Sequence, residues 1–466
     1  MTQVTTPAPA RFPYQFRFII GNEACERFSF YGMRSILVVF MTQHLLMAKA
    51  DATGVFHTFV AACYLMPLVG GFIADRFWGK YHTILYISLF YCLGHGVLAV
   101  WESRTGLYVG LALLAFGSGG IKPCVSSFLG DQFDRTNSHL LKRAYDLFYW
   151  SINFGSFFST LLIPYVLKQW GPRVAFGIPG VLMGLATLVF WLGRRHYVRV
   201  PAGRQAHTAG FLPVFWRALR RWPGRPAGAG FWQGAADRFG PDEIEGARAV
   251  AAVFGVFATV PMFWALFDQH SSTWILQAQQ MDRRFLGLEL EAAQIAALNP
   301  ALVMVLIPVF SLGIYPLLGR LGVRVTPLRR MSTGMLLAGF SFVAAAAIQA
   351  ALDRGARVNI GWQFVPYLIL TSAEVMISIT GLEFAYTQAP RTMKSTIMSF
   401  WLLTVFAGNL FTAVVARLNR FQGAAQFLFF AAAMFLVSLV FILSAWLYRE
   451  RNYVEPGPAT GQANPC

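Results

Sequence analysis

Apolar runs long enough to cross a bilayer recur along almost the whole chain, separated by short polar turns. A membrane-spanning helix needs about 20 predominantly apolar residues. Twelve segments reach that length: 16–46, 53–77, 81–101, 106–129, 147–167, 174–192, 249–269, 292–318, 325–350, 362–386, 396–416 and 424–448. Several contain proline, including Pro123, Pro164, Pro261, Pro308 and Pro366. In water these would argue against helix, but in a packed membrane bundle neighbouring helices re-satisfy the freed backbone groups. The pattern predicts an all-α integral membrane protein with twelve transmembrane helices.

One long polar stretch interrupts the series. Residues 193–248 hold five prolines and ten arginines and no apolar run of spanning length. They divide the chain into an N-terminal six-helix bundle (1–192), a basic linker (193–248), a C-terminal six-helix bundle (249–448) and a tail (449–466). Within the linker, residues 212–222 have the pattern of an amphipathic helix lying on a membrane surface. The alternative is a solvated basic segment.

Composition supports the membrane reading. Of 466 residues, 56% are hydrophobic and only 13% charged, with 43 Phe and a mean hydropathy of +0.51. Soluble proteins carry roughly 25% charged residues, so this chain lacks the charge to cover even one compact soluble domain. The net charge of +17 raises the question of a nucleic-acid partner, and the distribution of the charge answers it. Lys and Arg are retained in cytoplasmic loops. With both termini and the linker on one side, that side collects 25 basic residues against 10 opposite, leaving only Arg27, Arg34 and Lys122 inside the spans. Both termini are therefore expected in the cytoplasm of a multi-pass protein of the bacterial inner membrane, with the bilayer and no nucleic acid as partner. No removable leader is expected, because no short apolar run with a cleavage site precedes the first span.

Ionisable groups inside a bilayer are costly and are functional candidates by default. The first span holds Glu23, Glu26, Arg27 and Arg34, the second His57, the fourth Lys122, the seventh Asp268, and the tenth Glu374 and Glu383. At about 100° per residue, Glu23, Arg27, Tyr31 and Arg34 share one helical face. That face must line something polar. A buried ion-pair network that only locks helices together is the bland alternative, yet buried pairs are weak stabilisers relative to apolar packing. A central cavity that binds a charged solute and passes protons fits better, since a carboxylate beside a cation takes up a proton when the pairing is broken.

Other chemistry is thin. There is no phosphate-binding G-x-x-x-x-G-K-[ST] loop, no H-E-x-x-H and no G-x-S-x-G. ATP-driven pumping, a metal centre, any cofactor and an enzymatic activity are not expected. Cys25, Cys63, Cys92, Cys124 and Cys466 have no metal-like spacing and read as small hydrophobes.

Several stretches of the chain carry a resemblance. The turn Gly71-Phe-Ile-Ala-Asp75-Arg76-Phe-Trp-Gly79-Lys80 resembles the loop signature of the major facilitator superfamily. Glu23-Ala-Cys-Glu26-Arg27-Phe28-Ser-Phe30-Tyr31 is similar to the E-x-x-E-R-F-x-Y-Y motif of the proton-dependent oligopeptide transporter family. Residues 70–94 and 148–156 resemble that family's two signatures, and 119–123, 263–269 and 381–386 add to the likeness, which runs from about Gly21 to Asn409. The resemblance implies a major facilitator fold and proton-driven import of di- and tripeptides by a monomer.

Carried over by position, it implies that Arg27, Arg34 and Lys122 hold the peptide carboxylate. Glu374, helped by Asn153 and Asn299, would hold its ammonium group, and Tyr31, Tyr64, Trp264 and Trp401 would line side-chain pockets. Glu23, Glu26, His57 and Asp268 are the proton-coupling candidates. An Arg34–Asp268 contact would close the extracellular side and a Lys122–Glu374 contact the cytoplasmic side. Two departures stand out: Phe30 replaces the motif's first Tyr, and the linker lacks the two extra spans of many bacterial relatives. The segment around His57 is closer to the mammalian intestinal peptide transporter than the motif alone requires. The alternatives are a carrier of the same fold for another small anion such as nitrate, and a membrane peptide receptor.

Overall fold

The computed structural model describes residues 12–134, 137–203, 210–222, 230–388 and 393–448. The 449–466 tail, Cys466, Pro223, Pro226 and the basic residues Arg11, Arg135, Arg204, Arg225, Arg391, Arg449 and Arg451 lie outside the described residues. Nearly everything described is helical. Among those residues the one strand pair is Arg284–Phe285 against Leu288–Glu289, closed by Leu286 and Gly287 at positive φ.

Eight helices are long and apolar enough to cross a membrane, or nine if Pro241–Phe257 and Pro261–Ala278, bent by 43°, form one span. Two of the eight, Lys49–Val100 and Leu141–Arg195, run through glycines at positive φ, Gly79 (72°) and Gly171 (75°), which break regular helix within each. The Phe16–Val39 helix is long enough to span, but its five charged residues, Arg17, Glu23, Glu26, Arg27 and Arg34, lower its apolarity. The helix entering the seventh predicted segment starts at Pro241, inside the stretch read as linker, with Pro at the first helical turn where its missing N–H costs nothing.

Two large apolar cores form. One gathers Phe30, Phe56, Tyr91, Phe128, Phe176 and Phe190 from the first half of the chain, and the other Phe257, Phe263, Trp274, Phe342, Tyr367 and Phe430 from the second. The halves meet where Lys49–Ile73 packs along Lys394–Leu418, and where Leu141–Leu192 meets Ala292–Ala297 and Leu298–Pro308. The radial pattern is inverted relative to a soluble protein. Leu436, Leu439, Leu443 and Trp446 are exposed on the outside of the last helix while Glu23, Glu26, Arg27, Arg34 and Asp268 are buried. That is the arrangement a lipid solvent selects.

Small residues allow the closest approaches. A Cβ on Gly70 would lie 2.1 Å from the Gly120 carbonyl oxygen, and one on Gly408 would lie 2.2 Å from that of Pro261. The linker, far from being a free coil, is docked in two pieces. Val198 exchanges hydrogen bonds of 2.9 and 3.1 Å with the Gln132 side chain, and Gly203 N–H donates to Asp75 O at 2.9 Å, tying residues 197–203 to the first half. The Phe211–Arg221 helix buries Phe211, Val214 and Ala218 in the core of the second half.

Candidate functional site

The first helix concentrates the charge. Arg27 Nε donates to Glu23 Oε1 at 2.7 Å, the i, i+4 spacing that one helical face provides, and lies 2.8 Å from Glu26 Oε2. All three side chains are almost fully buried. Two turns on, Arg34 reaches across to the second half and hydrogen-bonds Asp268. Asp268 gains its position from a break. The Pro261–Phe267 helix gives way to a tight 3-10 turn, Asp268–Ser271, and Ser272 leaves helical geometry altogether (φ −137°, ψ −85°). A run of short polar side chains at that point offers the backbone alternative hydrogen bonds.

Asp268 heads a buried chain of hydrogen bonds. Its second oxygen accepts from Asn409 Nδ2 at 2.7 Å, Asn409 Oδ1 lies 2.8 Å from His57 Nδ1, and His57 Nε2 lies 2.8 Å from Ser272 Oγ. The carboxylate fixes the direction: it can only accept, so the Asn409 amide donates to it and turns its oxygen to His57. His57 Nδ1 must then carry the proton. Nε2 is left to accept from Ser272 when the ring is neutral and to donate to Ser272 when the ring is charged. His57 and Asn409 belong to different halves, so this chain and the Arg34–Asp268 pair both cross the interface.

Glu374 ends the Phe364–Glu374 helix, immediately before a π-helical turn, Val375–Ile379, a feature that recurs at functional sites. It accepts a 2.7 Å hydrogen bond from Asn299 Nδ2. A cavity of about 260 Å³ lies between the halves, lined by Tyr31, Arg34, Tyr64, Asn153, Trp264, Asn299, Glu374 and Trp401, with Asp268, Tyr149 and His270. That is slightly below the usual range of ligand pockets, roughly 300–1,000 Å³, and suits a small solute. One wall carries the Arg34 cation and another the Glu374 carboxylate. Trp264 and Trp401 meet edge to face, centroids 6.1 Å apart, and the buried Trp264 indole N–H has no hydrogen-bond partner.

Arg27, Lys122, Glu23, Glu26 and His57 do not line this cavity. Lys122 Nζ sits 4.5 Å from the Tyr64 ring centroid and 4.9 Å from that of Phe30. The residue that replaces the motif tyrosine thus meets the ammonium with a ring face. The Lys122–Glu374 contact is not among the ion pairs of the described residues, whereas Arg34–Asp268 is. Asn153 donates to its own helix at Tyr149 O, 3.0 Å away, rather than to Glu374.

Sequence reasoning missed Asn409 and Ser272, which complete the buried chain, and a clasp on the opposite flank. Lys168 Nζ lies 2.7 Å from Glu291 Oε1, Arg283 holds the other Glu291 oxygen at 3.0 Å, and Gln294 Nε2 donates to Leu161 O at 2.7 Å. A lone Asn in the apolar run 396–416 was the available signal for the first; nothing local marks the clasp. A larger cavity of about 470 Å³, lined by Lys49, Gln277, Gln280, Gln349, Asp353 and Asn419 among others, contains none of the predicted residues. No metal-holding group of His, Cys, Asp or Glu occurs among the described residues.

The sequence profile of the POT family matches residues 81–222 and 235–427. The chain belongs to the POT family. Its relatives include solute carrier family 15 member 2 of Danio rerio, 28% identical over 96% of this chain and 91% of that one. Solute carrier family 15 members 2 and 1 of Homo sapiens are each 36% identical, covering 80% and 74% of this chain. The chain spans about half the length of these human relatives, 54% and 53%. Among solved structures, an auto-inhibited POT family peptide transporter is 43% identical with a TM-score of 0.89, over 96% of this chain and 99% of that one. The POT family transporter PepTSo is 42% identical with a TM-score of 0.88, over 94% and 99%. This POT family chain therefore has the major facilitator fold, is a multi-pass membrane protein, and belongs among transporters rather than enzymes.

Proposed function

We propose that the protein is a proton-coupled symporter that imports di- and tripeptides by alternating access. It needs no cofactor beyond the proton gradient and works as a monomer in the bacterial inner membrane. Its organisation is twelve spans in two bundles, 1–192 and 249–448, with the linker and both termini cytoplasmic. The observation that carries the reading is the central cavity, where an arginine and a carboxylate from opposite halves face the same small space between aromatic walls. A peptide is a zwitterion with variable side chains. Its two ends are the constant features, and opposite charges on opposite walls are the means to read them.

Coupling follows from competition. Arg34 is held by Asp268, so a peptide carboxylate that engages Arg34 must displace Asp268, and a displaced carboxylate is the better proton acceptor. His57, joined to Asp268 through Asn409, supplies a second proton site on the same chain of hydrogen bonds. Arg27 with Glu23 and Glu26 links protonation to the ammonium of Lys122 and the carboxylate end of the peptide. Release toward the cytoplasm frees Glu374, which then pairs with Lys122 to close that side. In this scheme, Arg34–Asp268 made with Lys122–Glu374 unmade corresponds to closure toward the outside.

Glu374 argues against a nitrate-type anion carrier, because a simple anion offers it no ammonium. The test is competition for dipeptide uptake by the same dipeptide with a free or an acetylated amino terminus. The wild type is expected to prefer the free amine strongly, and E374Q to lose both uptake and preference. Equal competition by the acetylated form, or intact uptake by E374Q, would sink the assignment of the ammonium site.

A further inference from the structure

The Phe211–Arg221 helix has three faces, and the proposed function uses none of them. Phe211, Val214 and Ala218 recur at i, i+3 and i+7 and are buried against the second half. Leu212, Trp216 and Leu219, at i, i+4 and i+7, form a second stripe that is 68%, 53% and 41% exposed. Arg217, Arg220 and Arg221 form the third. Three large apolar side chains kept in water on an eleven-residue helix would be a standing cost.

The surroundings say what covers them. The Phe211 ring packs on Phe400 at 5.6 Å and Phe400 on Phe254 at 5.2 Å, and Phe254 is itself exposed on the Pro241–Phe257 helix that leads into a span. The buried stripe thus seats the helix beside the apolar exterior of that span, with its second stripe uncovered. Its charge is complementary to an anionic leaflet. Arg217 and Arg221 share one carboxylate, that of Asp237, and Arg220, stacked over the Trp216 ring at 5.4 Å, has no ion pair among the described residues. Tryptophan with arginine beside an apolar stripe is the composition of a helix lying in a membrane interface.

We propose that Phe211–Arg221 lies in the plane of the cytoplasmic leaflet, with Leu212, Trp216 and Leu219 among the acyl chains and its arginines on the phosphates of anionic phospholipids. The sidedness rests on the topology proposed above; the docking itself does not. Because the buried stripe fixes this helix to the second half while residues 197–203 are fixed to the first, the anchor moves with the second bundle.

The test uses the full-length protein in vesicles of phosphatidylcholine with and without phosphatidylglycerol, with nitroxides placed singly at 212, 216, 219 and 237. Collision with oxygen is expected to dominate at 212, 216 and 219, and collision with a water-soluble nickel chelate at 237. Nickel collisions dominating at the three apolar positions would mean a solvated stripe, and exclusion of both reagents would mean a protein cover, a second copy or a partner; either overturns the proposal. On unlabelled protein, R217Q/R220Q/R221Q is expected to retain several-fold less phosphatidylglycerol through purification at unchanged thermal stability. Equal retention overturns the anionic preference. Labelling of a cysteine at 237 by an impermeant maleimide from the outside would contradict the topology while leaving the depth profile intact, so the two failures are separable.

Discussion

Replacing Asp268 by Asn removes the negative charge opposite Arg34 with little change of shape. In the present arrangement both side chains are nearly inaccessible, Arg34 at 5% and Asp268 at 2%. The D268N guanidinium would stay desolvated without a counter-charge. Breaking a buried pair from one side costs about 3–5 kcal/mol, because an uncompensated charge remains. An Asn oxygen still accepts one hydrogen bond, so the lower end applies, about 3 kcal/mol. If this pair closes the outer mouth, as proposed, opening the mouth hydrates Arg34 and relieves that cost. The outward-open population should therefore rise roughly a hundredfold relative to the closed one, at about 1.4 kcal/mol per factor of ten. Pulsed electron resonance between nitroxides at Leu46 and Leu286, exposed on the two halves, would report a longer distance in D268N. In E291Q, which loosens the half-exposed Lys168–Glu291 clasp, the shift should be much smaller and should shrink at high salt, because exposed charges are screened. Identical distance distributions for wild type and D268N would refute the reasoning.

The remaining expectations are simpler to check. H57A leaves the Asn409 oxygen unpaired, a penalty of about 1–3 kcal/mol where no water enters, and the Ser272 hydroxyl with only its long 3.5 Å bond to Gln269 O; peptide-driven proton uptake should fall steeply, while passive exchange of peptide at equal pH on both sides falls less. G70A drives a methyl group into the Gly120 backbone. Overpacking costs about 1–3 kcal/mol when side chains can adjust, and here the obstacle is backbone, so the melting temperature should drop by several degrees or the protein should fail to accumulate. A G70A protein as stable as wild type would contradict the helix contact.

Much of the architecture was legible because the bilayer imposes a length and a polarity on every span. Hydropathy located the eight or nine long apolar helices among the described residues, and most of the charges it could not explain, from Glu23 to Glu374, pointed into the interior, whereas Glu383 is exposed. The pairing of Arg34 with Asp268 came from resemblance, since no spacing rule links residues so far apart in sequence. Asn409 and Ser272 were not singled out because an uncharged amide or hydroxyl barely lowers the hydropathy of an apolar run; they matter only through the partners that folding brings to them. The clasp of Lys168 with Glu291 was hidden for the opposite reason, being two ordinary charges in polar turns. The helix entering at Pro241 lay inside a stretch read as linker because charged residues in its first turns masked its start, although Gly240-Pro241-Asp242-Glu243 is a sound helix-initiating sequence.

Coupled transport is the property on which the proposed function rests. Purified protein in sealed liposomes, given an inward proton gradient and a labelled dipeptide, should accumulate the peptide above its outside concentration, and a protonophore should abolish the accumulation. Peptide that only equilibrates, or that accumulates equally with the protonophore present, would contradict it.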